Sequence, residues 1–200
     1  MNKQEEKAAQ TKAALVNTFW ELYLLKPIEK ISVKEITDAT GVYRSTLYYY
    51  FPDVYAILEY IEETILLDWE QLISDIFSDY KNILLRGAFV ELAPWASDFK
   101  DRHGSQIAVL LGPNGDPSFQ QKIKDTLRKK MFAVLKIPDS SLDALLTYEA
   151  CISGILALGL KWYTENIPFE TIASVAQRII HPDLFKTMLG YSSNPIIKRL

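Results

Sequence analysis

The sequence has few of the residues on which disulfide-bonded and metal-binding proteins depend. Among its 200 residues there are one cysteine, Cys151, and two histidines, His103 and His181. A single cysteine cannot form an intrachain disulfide, and neither histidine has a cysteine or carboxylate at metal-ligand spacing. A chain of this length buries roughly 70% of its unfolded surface, so we expect it to fold without a covalent or metal cross-link.

The sequence also lacks a secretory signal and a long apolar run. Residues 1–12 are polar and of mixed charge, and no apolar segment follows them as it would in a signal peptide. The longest apolar stretch without a charge, 150–160, has 11 residues, whereas a membrane-spanning helix needs about 20. Together with the lone cysteine, which is typical of reducing compartments, these features predict a cytoplasmic protein.

Motifs of common enzymes are missing as well. There is no Gly-x-Ser-x-Gly segment, and Gly112 and Gly115 lack the Lys-Ser or Lys-Thr of a phosphate-binding loop. Cys151 stands among apolar residues, without a basic neighbour that would activate a thiolate. We therefore expect no enzymatic activity, no catalytic residues, no metal and no cofactor.

Charge alone does not indicate a nucleic-acid partner. The formal net charge is −3, and residues 1–52 hold seven Lys and Arg against six Asp and Glu. The remaining residues hold 15 Lys and Arg against 19 Asp and Glu. A nucleic-acid footprint is usually a stronger cluster of basic side chains than this.

The sequence does contain a succession of helical patterns. Apolar residues recur at steps of three and four, and no alternating run is long enough to predict a sheet. Ser32 and Glu35 form a capping-box pattern at the start of one helix, and Gly41 is placed to end that helix. Pro94 is expected to interrupt or bend a helix over 82–102.

These patterns predict an all-α chain with two parts. Residues 1–52 are expected to form a three-helix, helix-turn-helix DNA-binding domain. Residues 53–200 are expected to form a helical bundle for ligand binding and dimerisation, in which the segment 112–117 is a turn between two helices.

Residues 31–51 carry the motif that points to a function. Two short helical segments flank the turn at Gly41, which is the helix-turn-helix arrangement. A glycine turn between helices is also common in proteins that bind no DNA, so the turn alone is not specific. The second segment, however, has packing positions at Val42, Leu47 and Phe51, and it leaves a polar face that can reach phosphates or base edges. That face consists of Arg44, Ser45, Thr46, Tyr48 and Tyr49.

The match extends well beyond the turn. Thr40-Gly41-Val42 is followed by Thr46-Leu47-Tyr48-Tyr49-Tyr50-Phe51, and residues 31–58 resemble the DNA-binding domain of the TetR (tetracycline-repressor) family of transcriptional regulators. The chain is similar in particular to a subgroup common in low-GC Gram-positive bacteria. The segments that carry this second similarity are Arg44-Ser45-Thr46, Asp53-Val54-Tyr55, Leu110-Leu111-Gly112, Asn114-Gly115-Asp116-Pro117 with Phe119, and Gly154 with Lys161-Trp162.

The resemblance implies a set of DNA contacts. Ser32, Lys34 and Tyr48 would contact phosphates. Arg44, Ser45, Thr46 and Tyr49 would face the major groove. Tyr43 stands where the family usually has a capping Ser or Thr, so either Tyr43 contacts DNA or the helix is capped in another way. Val54 replaces a lysine that many members direct at a phosphate, which should lower the salt dependence of binding by about one unit of slope.

The resemblance also implies a homodimer held by the last two helices and a ligand cavity between the helices. The helix over 140–165 fits the dimer role, because its small residues would let a second helix approach closely. The alternative is that they pack against a helix of the same chain. The predicted interface residues are Ala150, Ser153, Gly154, Ala157 and Trp162.

The predicted cavity residues are aromatic or polar side chains in the second part of the chain: Trp69, Phe89, Trp95, His103 and Tyr148. Aromatic residues at helical spacing belong to the core more often than to a cavity wall, so their spacing alone does not identify a ligand cavity. The apolar stripes contain no cluster of charges, which favours a large, mostly apolar ligand over a small ion.

The sequence therefore predicts a dimeric, sequence-specific DNA-binding regulator. The expected form is a repressor that a small-molecule effector releases from a palindromic operator in double-stranded DNA. The alternative on the same fold is a partner-dependent activator or a protein-interaction module, since some relatives in the subgroup act with a partner protein. The operator, the regulated genes and the effector stay open.

Overall fold

The computed structural model describes residues 3–79, 88–113 and 115–180, and every regular element in these ranges is helical. The predicted all-α fold is therefore confirmed. Short 3-10 turns occur at Ile28–Lys30 and Phe89–Leu92. The α-helices are α1 (Lys3–Tyr23), α2 (Val33–Thr40), α3 (Arg44–Tyr50), α4 (Val54–Asp79), α5 (Ala93–Leu110), α6 (Pro117–Leu135), α7 (Leu142–Thr164) and α8 (Phe169–Ile179).

The chain packs as two compact units, Met1–Ile65 and Leu66–Leu200. The division lies inside α4 and not at the predicted position between residues 52 and 53. The reason is that α4 is continuous, and the apolar side chains of its first turns, such as Ile57 and Ile61, are buried in the first unit.

The first unit has a small, fully enclosed core. Each of its helices contributes at least one side chain with no solvent exposure: Leu15 and Phe19 from α1, Ile36 from α2, Leu47 from α3 and Ile57 from α4. Burying one such side chain stabilises a fold by about 1.5–3 kcal/mol. The predicted packing positions Leu47 and Phe51 are buried, and Val42 is partly buried.

A cation–π contact ties α1 to the end of α3. The Lys12 ammonium lies 3.6 Å from the ring centroid of Tyr60 in α4 and 5.5 Å from that of Phe51, the residue that ends α3. The Phe51 and Tyr60 rings meet edge to face. Contacts of this kind contribute about 0.5–1 kcal/mol at partly exposed sites, and this one joins three helices of the first unit.

The second unit differs from the prediction at Pro94. Proline does not interrupt a helix there, because Pro94 is the second residue of α5, where a missing backbone N–H leaves no hydrogen bond unmade. The first part of the predicted helix, 82–87, lies outside the described residues. The predicted turn at 112–117 separates α5 from α6, and the Asp116 side chain caps α6 by accepting from the Ser118 N–H at 2.7 Å.

Helix α7 is the one described helix that is long and apolar enough to cross a membrane, judged by length and composition only. Core helices of soluble proteins pass the same test, but only 17% of the apolar window of α7 is buried. The helix begins at the Ser141 cap, whose hydroxyl accepts from the Ala144 N–H. Much of its surface is therefore apolar without being covered by the described part of the chain.

Candidate functional site

The start of α2 is held by a complete capping box. The Glu35 N–H donates to Ser32 Oγ at 3.3 Å, and the Glu35 carboxylate accepts from the Ser32 N–H at 3.0 Å and from its hydroxyl at 2.9 Å. The predicted capping box is thus confirmed. Because the single hydroxyl hydrogen of Ser32 is already donated to Glu35, a phosphate contact through this hydroxyl would require that bond to break.

The Glu35 carboxylate is also paired with the Lys26 ammonium. This pair, together with the hydrogen bonds from Ser32, lowers the pKa of Glu35 from 4.5 to about 2. A carboxylate at a helix N-terminus interacts favourably with the helix dipole. Lys26 is engaged in this pair, whereas Lys34, the second residue of α2, is exposed.

The turn between α2 and α3 depends on glycine. Gly41 has φ 68° and ψ 13°, in the left-handed region, where an L side chain is strained. The Thr40 hydroxyl donates to the Ile36 carbonyl at 2.8 Å and accepts from the Val42 N–H at 3.4 Å. These bonds and the Gly41 conformation set the direction in which α3 leaves the turn.

Tyr43 precedes α3 as its N-cap residue, but its side chain makes no capping hydrogen bond. Its carbonyl accepts from the N–H groups of Thr46 and Leu47, at 2.9 and 3.1 Å. The ring itself is 82% exposed. Of the two alternatives raised by the sequence, the geometry favours a Tyr43 side chain that is free to contact another molecule.

Helix α3 buries one face and exposes aromatic rings on the other. Leu47 has no solvent exposure, whereas Tyr49 is 82% and Tyr48 54% exposed. Arg44 and Ser45 are exposed too, and Thr46 is partly buried. Exposed aromatic rings together with an arginine are typical of binding surfaces rather than of inert ones.

The predicted DNA contacts do not include an exposed tyrosine at the start of α4. Tyr55, in the first turn of α4, is 52% exposed, although its neighbour Val54 is buried. Helical periodicity separates the two positions, but it does not distinguish a surface tyrosine that binds from one that does not.

The second unit contains an apolar cavity with two lobes, of about 240 and 200 Å³. The lobes share part of their wall, and neither is lined by a charged residue. The shared residues are Trp69, Ile76, Phe89, Leu92, Ile155 and Ile180. The larger lobe adds Phe99 from α5, Gly159 and Tyr163 from α7 and Phe169 from α8, and the smaller lobe adds Met131, Tyr148 and Cys151.

Three of the five predicted cavity residues line this space. Trp69 and Phe89 line both lobes, and Tyr148 lines the smaller one. The Trp69 indole N–H donates to the Ile123 carbonyl at 3.3 Å, and the Tyr148 hydroxyl donates to the Lys124 carbonyl at 2.6 Å. Both polar groups are therefore satisfied by the protein.

The other two predicted cavity residues lie away from the wall. Trp95 is partly buried in the first turn of α5. His103 is buried behind Phe99, with ring centroids 5.1 Å apart, and its Nε2 lies 2.8 Å from Asp68 Oδ2. Asp68 also pairs with Arg102, so His103 belongs to a polar cluster beside the cavity and not to its lining.

Burial changes the pKa of several groups on the wall. It raises the pKa of the Tyr148 and Tyr163 phenols, and it raises that of the Cys151 thiol. In the case of Tyr148 the nearby Glu149 carboxylate adds to the effect. All three groups therefore stay protonated and uncharged at neutral pH, which keeps the cavity apolar.

The predicted interface residues on α7 divide into two sets. Ala150, Ser153 and Ala157 are exposed. They continue a row that begins with Leu142 and Leu146, and the steps of four, four, three and four residues place all five on one face. We call this row the outer face of α7. Leu146 is 60% exposed, and Ser153, further along the row, accepts a hydrogen bond from Lys124 Nζ of α6 at 2.9 Å.

The remaining two predicted interface residues lie next to other residues of their own unit. A Cβ on Gly154 would lie 3.8 Å from Cδ1 of Ile179 in α8. Trp162 is only 6% exposed and lines the larger lobe. The Lys100 ammonium fixes it, by donating to the Trp162 carbonyl at 2.6 Å and lying 4.4 Å from its ring centroid.

Within residues 3–79, 88–113 and 115–180, no group of three or more His, Cys, Asp or Glu side chains is placed to hold a metal ion. The structure thus offers two candidate sites. One is the exposed face of α3 with the start of α2, and the other is the two-lobed cavity.

Solved structures provide the informative comparison. The chain is similar to the crystal structure of a tetR-family transcriptional regulator from Streptomyces coelicolor, with a TM-score of 0.55 and 20% identity, over 100% of this chain and 89% of that one. It is also similar to the crystal structure of a TetR transcriptional regulator from Rhodococcus sp. RHA1, with a TM-score of 0.45 and 14% identity, over 95% of this chain and 100% of that one. No protein-family model and no curated protein matches the sequence. The first likeness shows the fold: an N-terminal helix-turn-helix followed by a helical C-terminal part.

Proposed function

We propose that the chain is a dimeric, sequence-specific DNA-binding transcriptional regulator of the TetR type. In this proposal it acts in the cytoplasm as a repressor, and a small-molecule effector releases it from a palindromic operator. The Arg44-Ser45-Thr46 start of its proposed recognition helix supports membership of the subgroup described above.

The observation that carries the proposal is the two-sided character of α3. Leu47 and Phe51 anchor the helix in the core, while Arg44, Tyr48 and Tyr49 project outward. Arginine reaches guanine edges and phosphates, and tyrosine hydroxyls donate to phosphate oxygens. The helix is therefore held rigidly by one face and offers the other to a major groove.

Lys34 is the stronger candidate for a phosphate contact at the start of α2. Its side chain is exposed, whereas the Ser32 hydroxyl is occupied by Glu35. Tyr43 joins the contact set because its ring is exposed and takes no part in capping. The proposed contacts are thus Lys34, Tyr43, Arg44, Ser45, Thr46, Tyr48 and Tyr49, with Ser32 contacting DNA only after rearrangement.

A second copy of the chain is the proposed partner of the outer face of α7. Leu142 and Leu146 supply exposed apolar area, and Ala150 and Ala157 let a second helix come close. Two-fold symmetry would place two recognition helices on half-sites about 34–36 Å apart.

The cavity is the proposed effector site. An effector regulates only if it binds one conformation of the dimer more tightly than another. Its occupation would then favour a spacing of the two recognition helices that does not fit the operator.

The test is selection of binding sites from random duplex DNA by the purified full-length chain. Wild type should enrich a palindrome, and Tyr48→Ala and Arg44→Ala should each lose about 5- to 100-fold in affinity for it. The matched control is Leu24→Ala, which truncates a side chain of similar exposure outside α3; it should retain the wild-type affinity.

The outcomes distinguish the alternatives. No enrichment by a folded dimer would contradict autonomous operator binding. Enrichment that appears only after a partner protein is added would favour the partner-dependent activator. Equal losses in Tyr48→Ala and Leu24→Ala would contradict the assignment of α3 as the recognition helix.

A further inference from the structure

We infer that the larger lobe of the cavity takes an uncharged, mostly apolar molecule with one hydrogen-bond acceptor, such as a ketone or an ester. We further infer that the Tyr163 hydroxyl is the group that recognises this acceptor. The regulatory meaning of the ligand rests on the proposed function, but the binding site itself does not.

The wall excludes a charged ligand. Every residue that lines the larger lobe is apolar, aromatic or glycine. Lys100, which contacts Trp162 of the wall, is already bound to the carbonyl and ring of that residue, and the His103–Asp68 pair is not part of the wall. The free energy needed to move an unpaired ion from water into this apolar cavity is far larger than the free energy gained from apolar contacts.

Two side-chain donors on the wall of the larger lobe, the Trp162 indole N–H and the Tyr163 hydroxyl, donate to no described residue. The Trp162 ring is already covered by the Lys100 ammonium and the Phe169 ring, which favours Tyr163 as the recognising group. The N–H of Trp69 and the hydroxyl of Tyr148 are both donated to backbone carbonyls. Tyr163 has an aromatic contact with Trp162, but its hydroxyl forms no hydrogen bond to any described residue. An acceptor on the ligand would supply the hydrogen bond that this hydroxyl lacks among the described residues.

The Tyr163 ring is held in place before any ligand arrives. A Cβ on Gly104 of α5 would lie 3.3 Å from Cδ1 of Tyr163, so the ring packs directly on the glycine backbone. Burial also keeps the phenol protonated, by raising its pKa. A fixed donor loses little conformational freedom when it binds, which favours recognition.

The volume limits the size of the ligand. The larger lobe, at about 240 Å³, exceeds the cavity of roughly 150 Å³ that is known to hold benzene. A single aromatic ring with a short side chain is therefore a suitable probe. Valerophenone supplies a carbonyl, n-pentylbenzene is its hydrocarbon counterpart, and 5-phenylpentanoate is a charged molecule of similar size.

The experiment measures displacement of the neutral dye N-phenyl-1-naphthylamine from the full-length chain by these three probes, without DNA. In wild type, valerophenone and n-pentylbenzene should displace the dye and 5-phenylpentanoate should not. Tyr163→Phe should weaken valerophenone by about 3- to 10-fold, the value of one hydrogen bond, and should leave n-pentylbenzene within about twofold.

Two variants control the interpretation. Tyr148→Phe removes the same hydroxyl in the smaller lobe, where it is already donated to Lys124, and should leave the ratio of the two neutral probes unchanged. Gly159→Leu fills the larger lobe, because a Cβ at Gly159 meets no atom within 4 Å. It should abolish binding of both neutral probes while the circular dichroism spectrum and melting transition are retained.

Three results would overturn the inference: no displacement by either neutral probe, displacement by 5-phenylpentanoate as strong as by valerophenone, or equal effects of Tyr163→Phe on both neutral probes. Failure of operator selection with these binding results intact would overturn the proposed function alone. Operator binding with no neutral probe bound would overturn the inference alone.

Discussion

The two units place their aromatic side chains in opposite ways. In the first unit, Tyr43, Tyr48 and Tyr49 point outward, and the core consists of aliphatic residues with Phe19 and Phe51. In the second unit, Trp69 and Phe89 turn inward and yet do not fill the space between the helices. The exposed aromatic rings of the first unit are therefore available to contact another molecule, whereas those of the second unit line a cavity that could hold a ligand.

This difference determines how each unit tolerates substitution. An exposed ring on α3 contributes little to stability, since surface substitutions usually change it by within about 0.5 kcal/mol. Function and folding are thus separable in the first unit. In the second unit the same side chains form the core and the cavity, so Trp69 or Phe89 cannot be removed without loss of packing. Variants there must add volume, as at Gly159, or remove a single polar atom, as at Tyr163.

The largest expected effect concerns the outer face of α7. We expect Leu146→Asp to raise the dimer dissociation constant by about 100-fold or more, because an unpaired carboxylate would be buried between two apolar faces. Leu67→Asp is the matched control, since Leu67 is 67% and Leu146 60% exposed, and it should leave the dimer intact. Sedimentation velocity over a range of protein concentrations measures the dimer dissociation constant of each variant. A dimer that survives Leu146→Asp, or one that Leu67→Asp disrupts equally, would contradict the proposed interface.

The first unit could be predicted closely from the sequence because its signals are local. The capping box of Ser32 and Glu35 and the glycine at 41 each depend on a few neighbouring residues, and both occur as predicted. What the sequence could not show is that the Ser32 hydroxyl is already engaged. A capping serine and a phosphate-binding serine occupy the same position in the pattern, and only the geometry separates them.

The second unit was less predictable because a cavity is a property of several helices at once. Helical spacing assigns Trp162 and His103 to apolar or polar positions, but it does not say which neighbour each one meets. Trp162 lines the larger lobe of its own unit, and His103 stands behind Phe99. No pattern in the sequence indicated Tyr163, because the role inferred for it depends on which atoms surround its hydroxyl in the folded chain.

The same substitution, glycine to alanine, is expected to have opposite effects on stability in the two units. An added Cβ meets no atom within 4 Å at either Gly41 or Gly159, so only the backbone conformation differs. Gly41→Ala should lower the free energy of unfolding by about 1 kcal/mol, because φ is positive there. Gly159→Ala should raise it by up to about 1 kcal/mol, because alanine favours the helix interior.

Urea unfolding of the two alanine variants measures both changes, and hydrogen exchange assigns each of them to its unit. Gly41→Asn is the control, since asparagine tolerates the left-handed region better than alanine does and should recover part of the loss. Changes of the same sign at Gly41 and Gly159 would show that side-chain contacts, and not backbone conformation, dominate at one of the two positions.

The smallest expected effect is the pH dependence that Glu35 gives to the first unit. Its pKa is lowered to about 2 in the folded chain, against 4.5 as the reference value. A lowered pKa means that the folded state binds this proton less readily than the unfolded state. The carboxylate therefore stabilises the fold above about pH 4.5, and this contribution is lost as the pH falls toward 2.

NMR titration of the Glu35 carboxyl carbon should give the low pKa directly. In Glu35→Gln the decrease in stability over this range should be smaller than in wild type, whereas Glu29→Gln, which removes an equal charge in the preceding turn, should keep the wild-type decrease. A Glu35 titration near 4.5 would mean that the Lys26 and Ser32 bonds do not persist in solution, and it would free the Ser32 hydroxyl for the phosphate contact that the resemblance implies.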